Sequence, residues 1–165
     1  ELATALRLDA KQRRLLSLAA QLHDIGKISI PDQVLHKPGR LTTEEFRTVQ
    51  LHPATGERIL APVVRNKAIL AGIRGHHERL DGTGYPDGLR GTQVPLLARL
   101  IAIPDCFDAL TTSRAYRAAM PLDQALEVLR EGSGPHFDPE LVRLFLPIAP
   151  RLFATQSVAE DEAFS

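Results

Sequence analysis

His76-His77-Glu78-Arg79-Leu80-Asp81-Gly82-Thr83-Gly84-Tyr85-Pro86 is the stretch around which the rest of the chain is organised. Two adjacent imidazoles offer neutral nitrogen donors in neighbouring directions, which suits a pair of metal ions better than a single ion. The glycines free the backbone for positive φ and the proline fixes the exit. The segment reads as a helix C-terminus carrying ligands, then an ordered loop. Three other stretches complete the pattern: His23-Asp24-Ile25-Gly26-Lys27, His52 before Pro53, and Asp105 in Asp105-Cys106-Phe107-Asp108-Ala109-Leu110.

Outward from these stretches the chain reads as helices. Glu1 to Leu8 is the end of one. Asp9 caps the next, roughly Ala10 to Leu22, whose leucines recur at helical spacing, with Gly26 as its stop. Thr42 and Glu45 have capping-box spacing, so a helix starts near Thr43 and runs toward His52, where Pro53 opens another to Leu60. Val63 to Gly75 follows. After the Gly/Tyr/Pro loop, which ends about Gln93, a long apolar helix spans Val94 to about Thr112, with a kink expected at Pro104, just before Asp105. Pro121 starts a helix to about Glu131, and Asp138-Pro139 caps a last one to about Leu146. No alternating strand pattern extends beyond a few residues. The class is all-α, a bundle of about seven helices with an ordered Gly/Tyr/Pro loop over a metal site. Residues 1–155 form one domain, and 156–165 read as a tail or linker.

Lys plus Arg balance Asp plus Glu, 20 against 20, so no global field recruits DNA, RNA or a membrane. Apolar residues make up 44%, enough for a globular core. A single cysteine, Cys106, excludes an intramolecular disulfide and a cysteine-rich zinc site, and fits a reducing, cytoplasmic setting. No apolar run approaches the ~18 residues of a membrane span. The sequence begins at Glu1 inside a helical pattern, and the expectation is a piece of a longer protein.

The metal candidates are His23, Asp24, His52, His76, His77 and Asp105. Each sits at or near the end of a predicted helix, and helix ends can converge. A mixed nitrogen and oxygen set suits iron, manganese, nickel or zinc, and is a poor choice for calcium or magnesium. Asp24 directly follows His23, so its carboxylate is placed to bridge two ions. Two ions so held suit in-line attack of water on a phosphodiester. Any one of these residues alone would read as ordinary polar decoration; the six together do not. Lys27 serves either as a point charge on the phosphoryl oxygens or as a helix-end lysine. Arg114 and Arg117 share a helix face and either pair with phosphate or form a solvated basic face. Tyr85 either stacks on a base or packs the loop. Glu78 either orients a ligand histidine or is an exposed helix-end glutamate. His36 and His136 read as ordinary loop histidines.

His23-Asp24-Ile25-Gly26-Lys27, His76-His77-Glu78 and Asp81-Gly82-Thr83-Gly84-Tyr85-Pro86 resemble the HD-GYP domain, a branch of the HD phosphohydrolase superfamily. Phe107-Asp108-Ala109-Leu110-Thr111 and Arg114-Ala115-Tyr116-Arg117 match it too. The resemblance spans about residues 15 to 145. It implies a helical bundle that hydrolyses cyclic di-GMP, a bacterial second messenger, to linear pGpG, GMP or both. It implies two divalent ions, iron or manganese before nickel or zinc, on the six residues named above. It also implies Lys27 near the scissile phosphate, with Tyr85, Asp108, Arg114 and Arg117 lining the dinucleotide groove. Implied partners are diguanylate-cyclase domains and, in the full-length protein, an upstream sensor or receiver domain. Two alternatives are a catalytically weak signalling module of the same family and a general HD phosphohydrolase acting on another nucleotide. The family carries a further ligand histidine, and in some members a glutamate, upstream of residue 1. It also usually has a small residue at position 104, so Pro104 stands to misplace Asp105.

Overall fold

A computed structural model describes residues 1–113 and 118–155. Its helices are α1 (Leu2–Ala5), α2 (Ala10–Leu22), α3 (Asp32–Leu35), α4 (Thr43–Val49), α5 (His52–Leu60), α6 (Lys67–Gly75), α7 (Leu96–Thr111), α8 (Leu122–Glu131) and α9 (Pro139–Phe145). Two 3₁₀ turns, Ile25–Ser29 and Gly91–Gln93, lie between them, and 149–155 is helical again. The described residues contain no strand beyond two isolated bridges, Asp81 with Arg90 and Ser133 with Phe137. The all-α reading holds. Among the described residues, the named helices exceed the expected seven: α3 is a single turn that leaves little periodic signal, and α1 is the short helix end read at Glu1 to Leu8.

The caps fall where the sequence puts them. Asp9 accepts from Gln12 N at 2.8 Å and Gln12 Oε1 accepts from Asp9 N at 2.9 Å, a reciprocal box that starts α2. Thr42 and Glu45 do the same for α4. α6 begins at Lys67, four residues later than the expected Val63, because the Asn66 side chain accepts from Ala68 N at 2.9 Å and caps it there.

α7 is apolar around most of its circumference, so it becomes the axis of the bundle. Leu100, Ile103 and Phe107 meet Leu129 of α8 and Phe145 of α9 on one side; Ile101 meets Ala19, Ile69 and Ile73 from α2 and α6 on the other. Each such buried side chain contributes about 1.5–3 kcal/mol, and together they exceed the roughly 3 kcal/mol that a proline costs inside a helix. α7 accordingly runs on through Pro104 to Thr111.

Gly26 departs from its expected role. It is not a left-handed helix stop but lies within the first 3₁₀ turn, buried against α5. A Cβ there would sit 1.9 Å from His52 O and 2.6 Å from Gly56 N. The missing side chain lets the turn rest directly on α5, which brings Asp24 beside His52. No helix among the described residues is long and apolar enough to cross a membrane.

Candidate metal centre

Three helix ends and one mid-helix residue converge. His23 caps the C-terminus of α2 with Asp24 next to it; His52 is the first residue of α5; His76 caps the C-terminus of α6 with His77 next to it; Asp105 projects from α7. The C-terminal ends of α2 and α6 bring negative partial charge toward the centre, which favours cations. Donor atoms of Asp24, His52, His76 and His77 lie within 4.8 Å of one another, and so do those of His23, Asp24 and Asp105. All six expected ligands are therefore brought together, Asp105 included, despite Pro104.

Asp24 belongs to both groups and divides its oxygens between them. Oδ1 lies 3.2 Å from His52 Nε2 and 3.9 Å from His76 Nε2; Oδ2 lies 3.4 Å from His23 Nε2. Asp105 Oδ1 closes the second group at 3.5 Å from His23 Nε2.

Three of the histidines are oriented by one local device. His23, His52 and His76 donate from Nδ1 to the carbonyl three residues back, Ala20, Val49 and Ile73, at 2.6, 2.7 and 2.6 Å. A carbonyl only accepts, so Nδ1 carries the proton and Nε2 is turned inward as the donor to an ion. His52 Nε2 and His76 Nε2 face each other at 3.2 Å, two lone pairs aimed at one point. His23 Nε2 and Asp24 Oδ1 are buried without a hydrogen-bond partner. Inward lone pairs and orphaned buried acceptors are what a cation site requires, and the nitrogen and oxygen donors suit a first-row transition metal.

Charge states differ across the centre. Burial pulls the His76 imidazole down to about 4. Burial, with His76 beside it, pulls His77 down to about 3. Burial also opposes a charge on His23, but the carboxylates of Asp105 and Asp24, 3.5 and 3.4 Å from Nε2, prevail and carry it up to about 10. Burial disfavours the charge on Asp24 as well, yet His23, His52 and Lys27 hold its carboxyl far below the ordinary carboxylate range; His23 and its neighbours do the same for Asp105.

The Gly/Tyr/Pro loop is fixed by a residue whose role the sequence left open. Glu78 is 3% exposed, and its carboxylate accepts from Asp87 N at 2.6 Å and Leu89 N at 2.9 Å. It is neither an exposed helix-end glutamate nor a partner of a ligand histidine; it staples the far side of the loop. A Cβ on Gly84 would lie 2.3 Å from Arg79 N, so only glycine lets the loop close this tightly on α6's end. Arg74 adds a bidentate pair to Asp87 and a bond to Glu57 of α5. None of this was legible beforehand, because the partners lie up to 17 residues away.

Of the expected substrate-contacting residues, Lys27 lies on Asp24 Oδ2, at the rim of the centre. Tyr85 packs on His77, ring centroids 4.9 Å apart and planes 33° apart, and meets the edge of Phe46 at 6.4 Å. One face of its ring is thus covered by His77. Asp108 lies one turn beyond Asp105 and lines an apolar cavity of about 430 Å³ shared with His23 and Asp105. Arg114 and Arg117 lie outside the described residues.

A family model described as HD domain matches residues 1–141. The chain is 44% identical over 156 residues to a cyclic di-GMP phosphodiesterase of Vibrio cholerae, covering 90% of this chain and 32% of the relative. It is 44% identical over 139 residues to a 3'3'-cGAMP-specific phosphodiesterase of the same organism, covering 84% and 30%. In structure it is similar to an HDG"Y"P protein from Bdellovibrio bacteriovorus, with TM-score 0.72, 25% identity and coverage of 89% of this chain and 47% of that one. The chain thus spans about a third of the length of these curated relatives.

Proposed function

This chain belongs to the HD domain family, in its HD-GYP branch, and from that premise we propose that it hydrolyses cyclic di-GMP with two divalent ions, iron or manganese, held by His23, Asp24, His52, His76, His77 and Asp105. The observation that carries the reading is the shared Asp24, whose two oxygens serve two separate donor groups. When bound, the ions supply Lewis acidity toward the phosphate and acidify water, the two things that hydrolysis of a phosphodiester lacks at neutral pH.

The chain's own residues do the rest. His76 and His77 stay neutral at pH 7 and so remain ligands without losing a proton first. Lys27, at the rim on the Oδ2 side, neutralises a phosphoryl oxygen and helps fix the diester in line. Tyr85 positions His77 and closes the wall of the groove. Water adds to phosphorus, one P–O bond to the 3′ oxygen breaks, and that oxygen leaves with a proton, giving linear pGpG; a second round gives GMP. Asp108, Arg114 and Arg117 complete the groove that receives the dinucleotide.

The test is elemental analysis together with chromatography of products after incubation with cyclic di-GMP. Conversion to pGpG or GMP that depends on added manganese or ferrous iron is expected. A metal-loaded protein that leaves cyclic di-GMP intact would contradict the reading.

A further inference from the structure

A second cavity, of about 490 Å³, lies between the first 3₁₀ turn, α3 and α4. That volume falls within the ~300–1,000 Å³ of small-molecule sites. Its lining is Lys27, Lys37, Arg40 and the apolar Leu35, Leu41 and Phe46. Two links join it to the centre. Lys27 lines it and contacts Asp24; Phe46 lines it and meets Tyr85, which packs on His77. A molecule whose phosphate rests at Lys27 has this cavity within its reach.

The two cavities differ in chemistry. The one beside Asp105 is walled mainly by apolar side chains, Leu2, Leu16, Leu100 and Phe145 among them, and Arg13 is the one lysine or arginine in its lining. The one beside Lys27 has an exposed aromatic ring and three cations. Two of those cations are spoken for. Lys27 lies on Asp24, and Lys37 Nζ is bonded to both oxygens of Glu45, at 2.9 and 2.7 Å. Arg40 is exposed, and its side chain makes no hydrogen bond or ion pair among the described residues. It leaves a planar, forked donor lining the same cavity as an exposed aromatic ring.

Resting on the phosphodiesterase reading above, we propose that this cavity is a purine subsite in which Phe46 packs on the base and Arg40 reads the O6 and N7 edge of guanine. Guanine offers two acceptors on that edge; adenine offers one acceptor and a donor, which a guanidinium repels. Arg40 thus makes the chain select guanine-containing cyclic dinucleotides over cyclic di-AMP. Phe46 contributes affinity with little base preference, since every base has a stacking face.

The experiment measures kcat/KM of wild type, Arg40→Ala, Arg40→Lys and Phe46→Ala on cyclic di-GMP, 3'3'-cGAMP and cyclic di-AMP, at equal ion content by elemental analysis. Arg40 and Phe46 are both exposed, so truncation should leave the fold intact, checked by circular dichroism. For Arg40→Ala, a loss of about 10-fold or more is expected on the two guanine-containing substrates, and a change within about 2-fold on cyclic di-AMP. Arg40→Lys should behave like Arg40→Ala, because an ammonium lacks the fork. Phe46→Ala should weaken all three substrates together. Equal loss on every substrate in Arg40→Ala, or full rescue by lysine, would make Arg40 a phosphate contact and overturn the subsite. No loss at all would overturn it as well. Were the wild type to hydrolyse none of the three, the phosphodiesterase reading would fall by itself. The subsite would then be decided by equilibrium binding: tighter binding of cyclic di-GMP than cyclic di-AMP, lost in Arg40→Ala, supports it, and equal or absent binding overturns it.

Discussion

The two halves of the candidate metal centre use the same kinds of side chain in opposite charge states. In the inner half, His52 and His76 are each 1% exposed and share a single carboxylate oxygen with His77. Burial dominates there, and the imidazoles of His76 and His77 are held neutral. In the outer half, His23 is alone between two carboxylates, Asp24 and Asp105, and stays protonated well above neutrality. Burial opposes the charge in both halves, and the two carboxylates beside His23 outweigh it only in the outer one. The inner half is ready for an ion at pH 7, whereas the outer half must first give up the His23 proton. Loading should therefore be ordered, inner before outer, with Asp24 common to both steps.

Asp24→Asn should break both halves at once, with a loss of roughly 100-fold or more in turnover and of ion content in both sites. Turnover above a tenth of wild type, in a variant folded by circular dichroism, would show that the halves do not depend on a shared carboxylate. Asp105→Asn should break only the outer half. Elemental analysis should find the ion count falling from about two toward one per chain, with affinity at the remaining site changed less than tenfold. Loss of both ions would show that the halves are one indivisible site.

Glu78→Gln sharpens the comparison from outside, since Glu78 touches the loop and no ligand. Replacing one carboxylate oxygen by NH₂ leaves a buried N–H facing an N–H, a cost of about 1–3 kcal/mol. Denaturant unfolding should show that loss and KM should rise a few-fold, while ion content stays at the wild-type value. A fall in ion content would tie the loop to the ligands more directly than the hydrogen bonds do.

The smallest effect is on the chelated protein. The folded-state pKa of His23 is raised above its ordinary 6.5, to about 10. Its contribution to stability is fully present below about 6.5 and is lost as pH rises through about 10. Asp24 and Asp105 are depressed, so theirs is present above the ordinary carboxylate range and lost as pH falls. The Tm of the chelated chain should fall between pH 7 and 10 by about 2 °C or more, the scale of 1 kcal/mol in a domain this size. Asp105→Asn should flatten that slope. A Tm that rises over the same interval would mean that His23 is neutral.

The six candidate ligands were legible as a set because each sits at a helix end or within a turn of a breaker, where local rules are strong. The capping boxes at Asp9 and Thr42 and the position of α7 were legible for the same reason. What escaped is what depends on distant partners. Gly26 reads as a helix stop until α5 is laid against it, with His52 O 1.9 Å from the missing Cβ. Glu78 reads as either a partner of a ligand histidine or an exposed helix-end acid until the loop returns Asp87 N and Leu89 N to it. Phe46 carries no signal of its own in the sequence; its place is seen only with Tyr85 beside it. Pro104 reads as a threat to Asp105 until the packing on both sides of α7 is seen to hold the helix through it.

The most direct test is a crystal structure of the manganese-loaded protein, with the ions located by anomalous scattering. Two peaks are expected, one bonded to Asp24 Oδ1 among His52, His76 and His77, the other bonded to Asp24 Oδ2 beside His23 and Asp105. A single peak, or two peaks of which only one touches Asp24, would contradict a centre built on a shared carboxylate.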